Sequence, residues 1–195
     1  MLTLDAKRTA LVLIDVQKGT LGFNLSPYSP ANIVATSKQL AERSRKAGAL
    51  LVYVRVAFAA DYSDRPQGTT DVPMILPPGG MPADWSEYAP EIAAIAPDLW
   101  ITKRQWSAFH GTELDLQLRR RGITHTIFGG IATNFGVESS ARDAWQNNYT
   151  AVIAEDACSS VGPDLHRFAI EKTLPRVSLI RSSAEIVAAL AASSQ

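Results

Sequence analysis

The chain alternates short, nearly continuous apolar runs with longer segments whose apolar residues recur at helical spacing. TALVLIDV (9–16), ALLVYVRVAF (49–58), DLWITK (98–103), HTIFGGI (125–131), TAVIA (150–154) and RVSLI (176–180) are rich in β-branched residues. Runs with little polar alternation predict strands covered on both faces, as in a parallel sheet between two helical layers. Helix signals lie between them. Ser29-Pro30 opens one helix with proline at the first helical position, and Gly48 closes it. GTELDLQLRRRG (111–122) offers Thr112 as a cap and stops at Gly122. Val137, Ala141, Ala144 and Trp145 fall at i, i+4, i+7 and i+8, one stripe to face a sheet. Ser182-Ser183-Ala184-Glu185 has the form of a capping box for a last helix.

This alternation predicts one α/β domain over 1–195, a three-layer α/β/α sandwich with a mainly parallel sheet of roughly six strands and right-handed crossovers. The exception is 59–97, rich in Pro, Gly, Asp and Tyr, with PPGG at 77–80. A loop that long inside a compact domain is expected to serve as a lid or pocket wall.

Charge narrows the partners. Nineteen basic residues balance 19 acidic ones, so the chain shows no electrostatic footprint for nucleic acid or an anionic membrane. The RRR at 119–121 ends a predicted helix, where cations complement the helix dipole. The single cysteine, Cys158, allows no internal disulfide and no multi-cysteine metal site, and fits a reducing compartment. MLTLDAKRTALVLIDVQ has the pattern of neither a signal peptide nor a membrane span, because Asp15 interrupts the apolar run. A cytoplasmic location is expected.

Open parallel sheets bind ligands beyond the carboxyl ends of their strands. Asp15 ends the first predicted strand, Lys103 the third, and Gly129 to Gly136 follow the fourth, so all should meet on one edge. Asp15 follows four apolar residues in LVLID and should be at least partly buried, with Lys103 as partner. The pair could be a functional acid or base with its counter-ion, or an ion pair that only ties two strand ends. After the fourth strand, Thr133 or Asn134 can cap the next helix, leaving backbone N–H groups for a carboxylate or a developing oxyanion. Gly136 in that first turn suits close approach of backbone to a ligand, or close packing of helix on strand.

Taken together, LVLIDVQ, ITKRQWSAFHGTELDLQLRRRGI and GGIATNFGVESSARDAW resemble the isochorismatase-like cysteine hydrolase superfamily, in order and over almost the whole chain. The resemblance implies the same three-layer fold. In the family's amidases an Asp, a Lys and a Cys form the catalytic triad; the first two match Asp15 and Lys103, and the Cys falls on Gly136. Glycine has no thiolate to attack a carbonyl, so thioester chemistry is not expected here. Cys158, in AEDACSS, reads as a small buried apolar residue rather than a substitute. Ser139 and Ser140 read as helix-packing residues, without a histidine placed by sequence to activate them.

The resemblance also implies a non-proline cis peptide at Ile131–Ala132 and an oxyanion-binding or substrate-binding turn of Ile131, Ala132, Thr133, Asn134, Phe135 and Gly136. Trp106, Phe109 and Arg65 are expected to line the site, with Tyr62 and Trp85 as further candidates. Nicotinamidases hold a metal through an Asp and two His after the second strand; VRVAFAADYSDRP has no His, so no metal is expected, and no cofactor is called for. True isochorismatase also carries Gly in place of the Cys, but its glutamine after the second strand has no match near Val56. NxGVES, RQWxAFxGT and AEDACS are shared with a bacterial subgroup of the superfamily. A nucleotide-binding flavodoxin-type protein shares the fold class, yet GGIATNFG is not GxGxxG and no P-loop occurs. The expected function is non-covalent acid/base hydrolysis of a small molecule, vinyl-ether-like or other, by Asp15 and Lys103. The alternative is a small-molecule-binding homologue without turnover. A homo-oligomer, dimer or tetramer, is implied.

Overall fold

The computed structural model describes residues 2–192. Strands β1 (Thr9–Ile14), β2 (Leu50–Val56), β3 (Leu99–Lys103), β4 (His125–Ile131), β5 (Thr150–Ser159) and β6 (Leu179–Arg181) form one sheet in the order β3-β2-β1-β4-β5-β6. Every adjacent pair is parallel. Helices α1 (Lys18–Leu21), α2 (Pro30–Ala47), α3 (Pro90–Ala93), α4 (Leu114–Arg120), α5 (Glu138–Gln146), α6 (Pro163–Phe168) and α7 (Ser183–Ala192) flank it.

The two faces follow the strand alternation. Leu11 and Leu13 join Leu51, Tyr53, Ile127 and Val152 beneath Ile33 and Leu40 of α2 and Ile186 and Leu190 of α7. Val12 and Ile14 join Val52, Val54, Phe128 and Ile153 beneath Leu114 and Leu118 of α4 and Ala141 and Ala144 of α5. All six residues of β1 are buried, which is why that run shows no apolar–polar alternation.

Local chemistry sets the helix ends. Ser29 Oγ accepts the Asn32 N–H and Pro30 begins α2, while Gly48 ends it in the left-handed region at φ 86°. Ser182 and Glu185 exchange bonds as a capping box, with Ser182 N–H donating to Glu185 Oε2 at 2.9 Å. Thr112 Oγ1 accepts the Leu114 N–H at 3.2 Å and so caps α4 from just outside it.

Three expectations need correction. Trp145 is 55% exposed, because one residue beyond Ala144 lies about 100° further around the helix and off the buried stripe. Strand β5 runs to Ser159, past the polar pair Glu155-Asp156, because pairing with β4 resumes at Gly130↔Cys158 after a register shift. Strand β6 starts later than the apolar run, since Leu174–Arg176 forms a short 3-10 turn that contains a proline.

The strand order places the site. From β1 the chain steps outward to β2 and β3, then returns to β4 on the other side of β1. The reversal lies between β1 and β4, where such sheets bind ligands beyond their carboxyl ends. Between β2 and α3, residues 57–89 contain no helix or strand. They are tied down by Lys18, which bridges Asp84 and Glu87 at 2.9 and 2.8 Å, and by Phe58 stacked on Trp85. Among the described residues no helix is long and apolar enough to cross a membrane.

Candidate functional site

Asp15 leaves β1 abruptly. Its N–H still reaches Val54 O at 2.8 Å, but its φ of 53° is left-handed, a region that aspartate enters more readily than most residues. The hydroxyl of Thr20 donates to its carbonyl. The side chain is buried, and Oδ2 accepts from Lys103 Nζ at 2.6 Å. Lys103 is 2% exposed and also donates to Gln105 O at 3.0 Å. Asp15 Oδ1 is equally buried but has no hydrogen-bond partner. The neighbouring Val56 N–H goes to Gln17 Oε1 at 3.0 Å, and the same glutamine donates from Nε2 to Val56 O and Trp85 O.

Burial and charge pull Asp15 in opposite directions. Loss of water raises its pKa, and the Lys103 cation, with a smaller contribution from the Val56 amide, lowers it. Burial wins, and the carboxyl is pushed up to about 6. It therefore exchanges its proton close to neutrality, as an acid or base working near pH 7 must.

Two glycines bring β4 against this carboxylate. Gly130 has φ 124°, and a Cβ there would stand 1.9 Å from Ile14 O, so no other residue fits between the strand ends. After the cis peptide Ile131–Ala132, residues Thr133–Val137 make a single wide turn of π-helix that runs into α5. A Cβ on Gly136 would lie 3.5 Å from Asp15 Oδ2, 3.1 Å from Ile14 Cγ2 and 3.2 Å from Ile131 O. Position 136 therefore adjoins the carboxylate, so closely packed that even a methyl group there would press on Ile14 and Ile131.

The Isochorismatase domain family model matches residues 9–185. The chain belongs to the isochorismatase family. It is 43% identical over 190 residues to the uncharacterized isochorismatase family protein YecD of Escherichia coli O157:H7, covering 97% of this chain and 100% of that protein. The ureidoacrylate amidohydrolase RutB of Yersinia enterocolitica is 31% identical over 180 residues, covering 80% of this chain and 77% of the relative. A solved isochorismatase family protein from Burkholderia thailandensis superposes with TM-score 0.91 at 39% identity, over 97% of this chain and 98% of that one.

Within this family fold, Asp15, Lys103, Ile131 and Gly136 come together as their strand positions imply. Thr133 and Asn134 lie in the expected turn, but neither caps a helix. Their side chains bond His166 and Ser160, because the helix start is a wide turn whose first residues face β5 and α6. Trp106 is 59% exposed, with its ring 4.8 Å from that of Phe135, an aromatic pair built on the turn. Phe109 stands apart from them. Its buried ring packs 5.9 Å from Tyr149 within the core under α4 and α5. Arg65 is also apart, donating to Met74 O at 3.2 Å within its own loop.

Cys158 is fully buried, and that burial pushes its thiol pKa up. Ser140 donates back to Gly136 O at 2.7 Å. Among the described residues no group of three or more His, Cys, Asp or Glu is placed to hold a metal ion.

Sequence reasoning passed over Gln17, His166, Glu155 and Tyr28. Gln17 did carry a signal, as a polar residue two positions after Asp15 in an apolar stretch. The other three are united only by folding. Wider hollows lie elsewhere, one of about 320 Å³ near Lys7, Arg45 and Arg121 and one of about 670 Å³ near Lys18, Val34 and Glu91. Neither is lined by Asp15 or by another buried polar side-chain atom that lacks a partner.

Proposed function

We propose that this isochorismatase-family protein hydrolyses a small molecule without a covalent intermediate, with Asp15 carrying the proton and Lys103 as its electrostatic partner. The observation that carries this reading is Asp15 Oδ1, buried and without a partner, on a carboxylate whose Oδ2 is held by Lys103 and adjoins Gly136. A buried acceptor without a donor is costly, and an O–H or N–H from a substrate or water would satisfy it.

With its pKa at about 6, Asp15 is mostly ionised at pH 7, which suits it to act first as a base. It takes a proton from a water, the water oxygen adds to the electrophilic carbon, and the oxyanion is received by backbone N–H groups of 131–136. The oxyanion then re-forms the carbonyl, the bond to the leaving group breaks, and Asp15 returns the proton to that group. Lys103 keeps the carboxylate oriented and limits the rise in its pKa. Phe135 and Trp106 are the residues we assign to an apolar part of the substrate. The relationship to ureidoacrylate amidohydrolases supports a carbonyl substrate, whereas an enol or vinyl ether would need Asp15 to act first as an acid. We also assign the protein to a homo-oligomer, dimer or tetramer, with the exposed apolar side chains Val161, Leu165 and Phe168 as candidates for burial between copies. Light scattering on the purified protein reads that directly.

The test of function is turnover against amides, ureides, esters and vinyl ethers, with Asp15→Asn measured beside the unaltered protein. Loss of turnover by 100-fold or more, with substrate binding retained, is the expected result; general acid–base catalysis contributes roughly that much. Binding without turnover across the panel would instead favour a small-molecule-binding homologue.

A further inference from the structure

The turn that faces Asp15 is tied to the rest of the fold by a chain of hydrogen bonds, buried at the turn and half-buried beyond it, that the mechanism above does not use. Thr133 Oγ1 lies 2.8 Å from His166 Nδ1, and His166 Nε2 lies 3.1 Å from Glu155 Oε1. Glu155 also accepts the Tyr28 hydroxyl at 2.9 Å, and the Tyr28 ring stands edge-on to the imidazole. Thr133 is fully buried and His166 is 4% exposed.

The direction of the bonds follows from the groups. The hydrogen bond from His166 lowers the pKa of Glu155, whose ionised carboxylate can only accept. Nε2 therefore carries a proton, and in the neutral imidazole Nδ1 is then an acceptor to which the Thr133 O–H donates. This is the polarity of the hydroxyl–imidazole–carboxylate relay of acyl-transfer enzymes. Thr133 cannot play the nucleophile, since its side chain has no exposure from which to reach a substrate. A second tie lies beside the first. Ser160 donates to Asn134 Oδ1 and is itself paired through its backbone with Ser26 at 2.8 and 3.0 Å. Two consecutive side chains of the turn are thus committed to β5 and α6, so what the turn offers a ligand there is backbone.

We propose that His166 is a positioning residue: it clamps Thr133, and through it fixes the backbone amides of 132–136 in the orientation that receives the oxyanion. The proposal rests on the reading of that turn given above and extends it to a residue on a different element. A hydroxyl donor lost from a buried acceptor corresponds to about tenfold or more in a local opening equilibrium.

The experiment is native-state amide hydrogen exchange on the full chain, read over 128–137, for the unaltered protein, Thr133→Val, Thr133→Ser and His166→Gln. Valine keeps the shape of threonine without the hydroxyl, serine keeps the hydroxyl, and glutamine can reach Glu155 but offers no Nδ1. The expected result is exchange about tenfold faster at 132–136 in Thr133→Val and His166→Gln, with α5 and the body of β4 unchanged and Thr133→Ser at the original rate. Unchanged exchange in both hydroxyl-breaking or ring-breaking variants overturns the clamp. Acceleration spread evenly over β4 and α5 does so too, since it marks general loosening. If Thr133→Val does not fold, His166→Gln against Thr133→Ser makes the same comparison. No substrate is needed, so a protein silent on every compound would sink the hydrolase reading while leaving the clamp to be decided by exchange. With a substrate in hand, His166→Gln is expected to lower kcat about tenfold with KM little changed, as for an interaction made chiefly in the transition state. Equal losses in Thr133→Ser and Thr133→Val would overturn the role.

Discussion

Removing both charges of the buried pair, in Asp15→Asn/Lys103→Met, is expected to leave stability at pH 7 close to that of the unaltered protein, although each single change is severe. The magnitude follows from the carboxyl. Its pKa rises from an ordinary 3.8 to about 6 on folding, so the native state holds this proton more tightly than the unfolded chain. The stability this contributes is fully present below pH 3.8 and lost as pH rises through about 6. A shift of about two units at about 1.4 kcal/mol each makes the loss roughly 3 kcal/mol at pH 7 and above. The pair thus stands at a net cost even with Lys103 at 2.6 Å. Removing one partner leaves the other charge buried alone, at about 3–5 kcal/mol. The Lys103→Met penalty should shrink at pH 5, where Asp15 can take up a proton; the Asp15→Asn penalty should not. In the double variant about 3 kcal/mol is recovered, and burying the new amide returns about 1–3 kcal/mol of that. Urea unfolding at pH 7 and pH 5, compared at constant m, measures all four corners of the cycle. A double variant as unstable as the two singles summed would refute the argument, because the pair would then be a tie between strand ends and not a charge arrangement kept at a cost to stability.

Four further outcomes are expected. Turnover should rise with pH through about 6 and then level, because only ionised Asp15 can take the first proton; a profile that falls through 6 would mean the carboxyl acts first as an acid. Gly136→Ala should change the midpoint of thermal unfolding little, as a helix-propensity gain of about 1 kcal/mol offsets crowding against Ile14 and Ile131, yet it should cut turnover by setting a methyl group 3.5 Å from Asp15 Oδ2. Gly130→Ala, by contrast, should yield no folded protein by circular dichroism, since its Cβ would overlap Ile14 O at 1.9 Å. Native protein should resist iodoacetamide until denatured, because Cys158 is buried with its thiol pKa raised; rapid native labelling seen by mass spectrometry would contradict that placement.

The layers, the parallel sheet and the convergence of Asp15, Lys103 and the 131–136 turn were legible because each rests on signals local in the chain. An apolar run such as TALVLI can be satisfied only with cover on both faces, and Ser29-Pro30 and Gly48 fix the ends of α2 whatever packs against it. The rule that ligands lie beyond the carboxyl strand ends then brought the ends of β1, β3 and β4 together. Two of the expected lining residues fared differently, because type and position near a motif do not say which way a side chain turns. Phe109, six residues after Lys103, goes into the core beside Tyr149, while Trp106, three residues after it, stays out on Phe135.

The clamp was illegible for a stronger reason. Tyr28, Thr133, Glu155 and His166 lie on four separate segments with no shared period or spacing. A lone threonine at a helix start looks like a cap, and a lone histidine on a short helix looks like a side chain turned to water. Burial supplies the missing constraint: once Thr133 and His166 lose contact with water, each polar atom must find a partner. The same accounting separates the two sets of buried polar groups at this edge of the sheet. The Thr133 hydroxyl and His166 nitrogens are satisfied within the protein, as parts of a support should be. Asp15 Oδ1 is not, and in the reaction proposed above the substrate or its attacking water is the donor that reaches it.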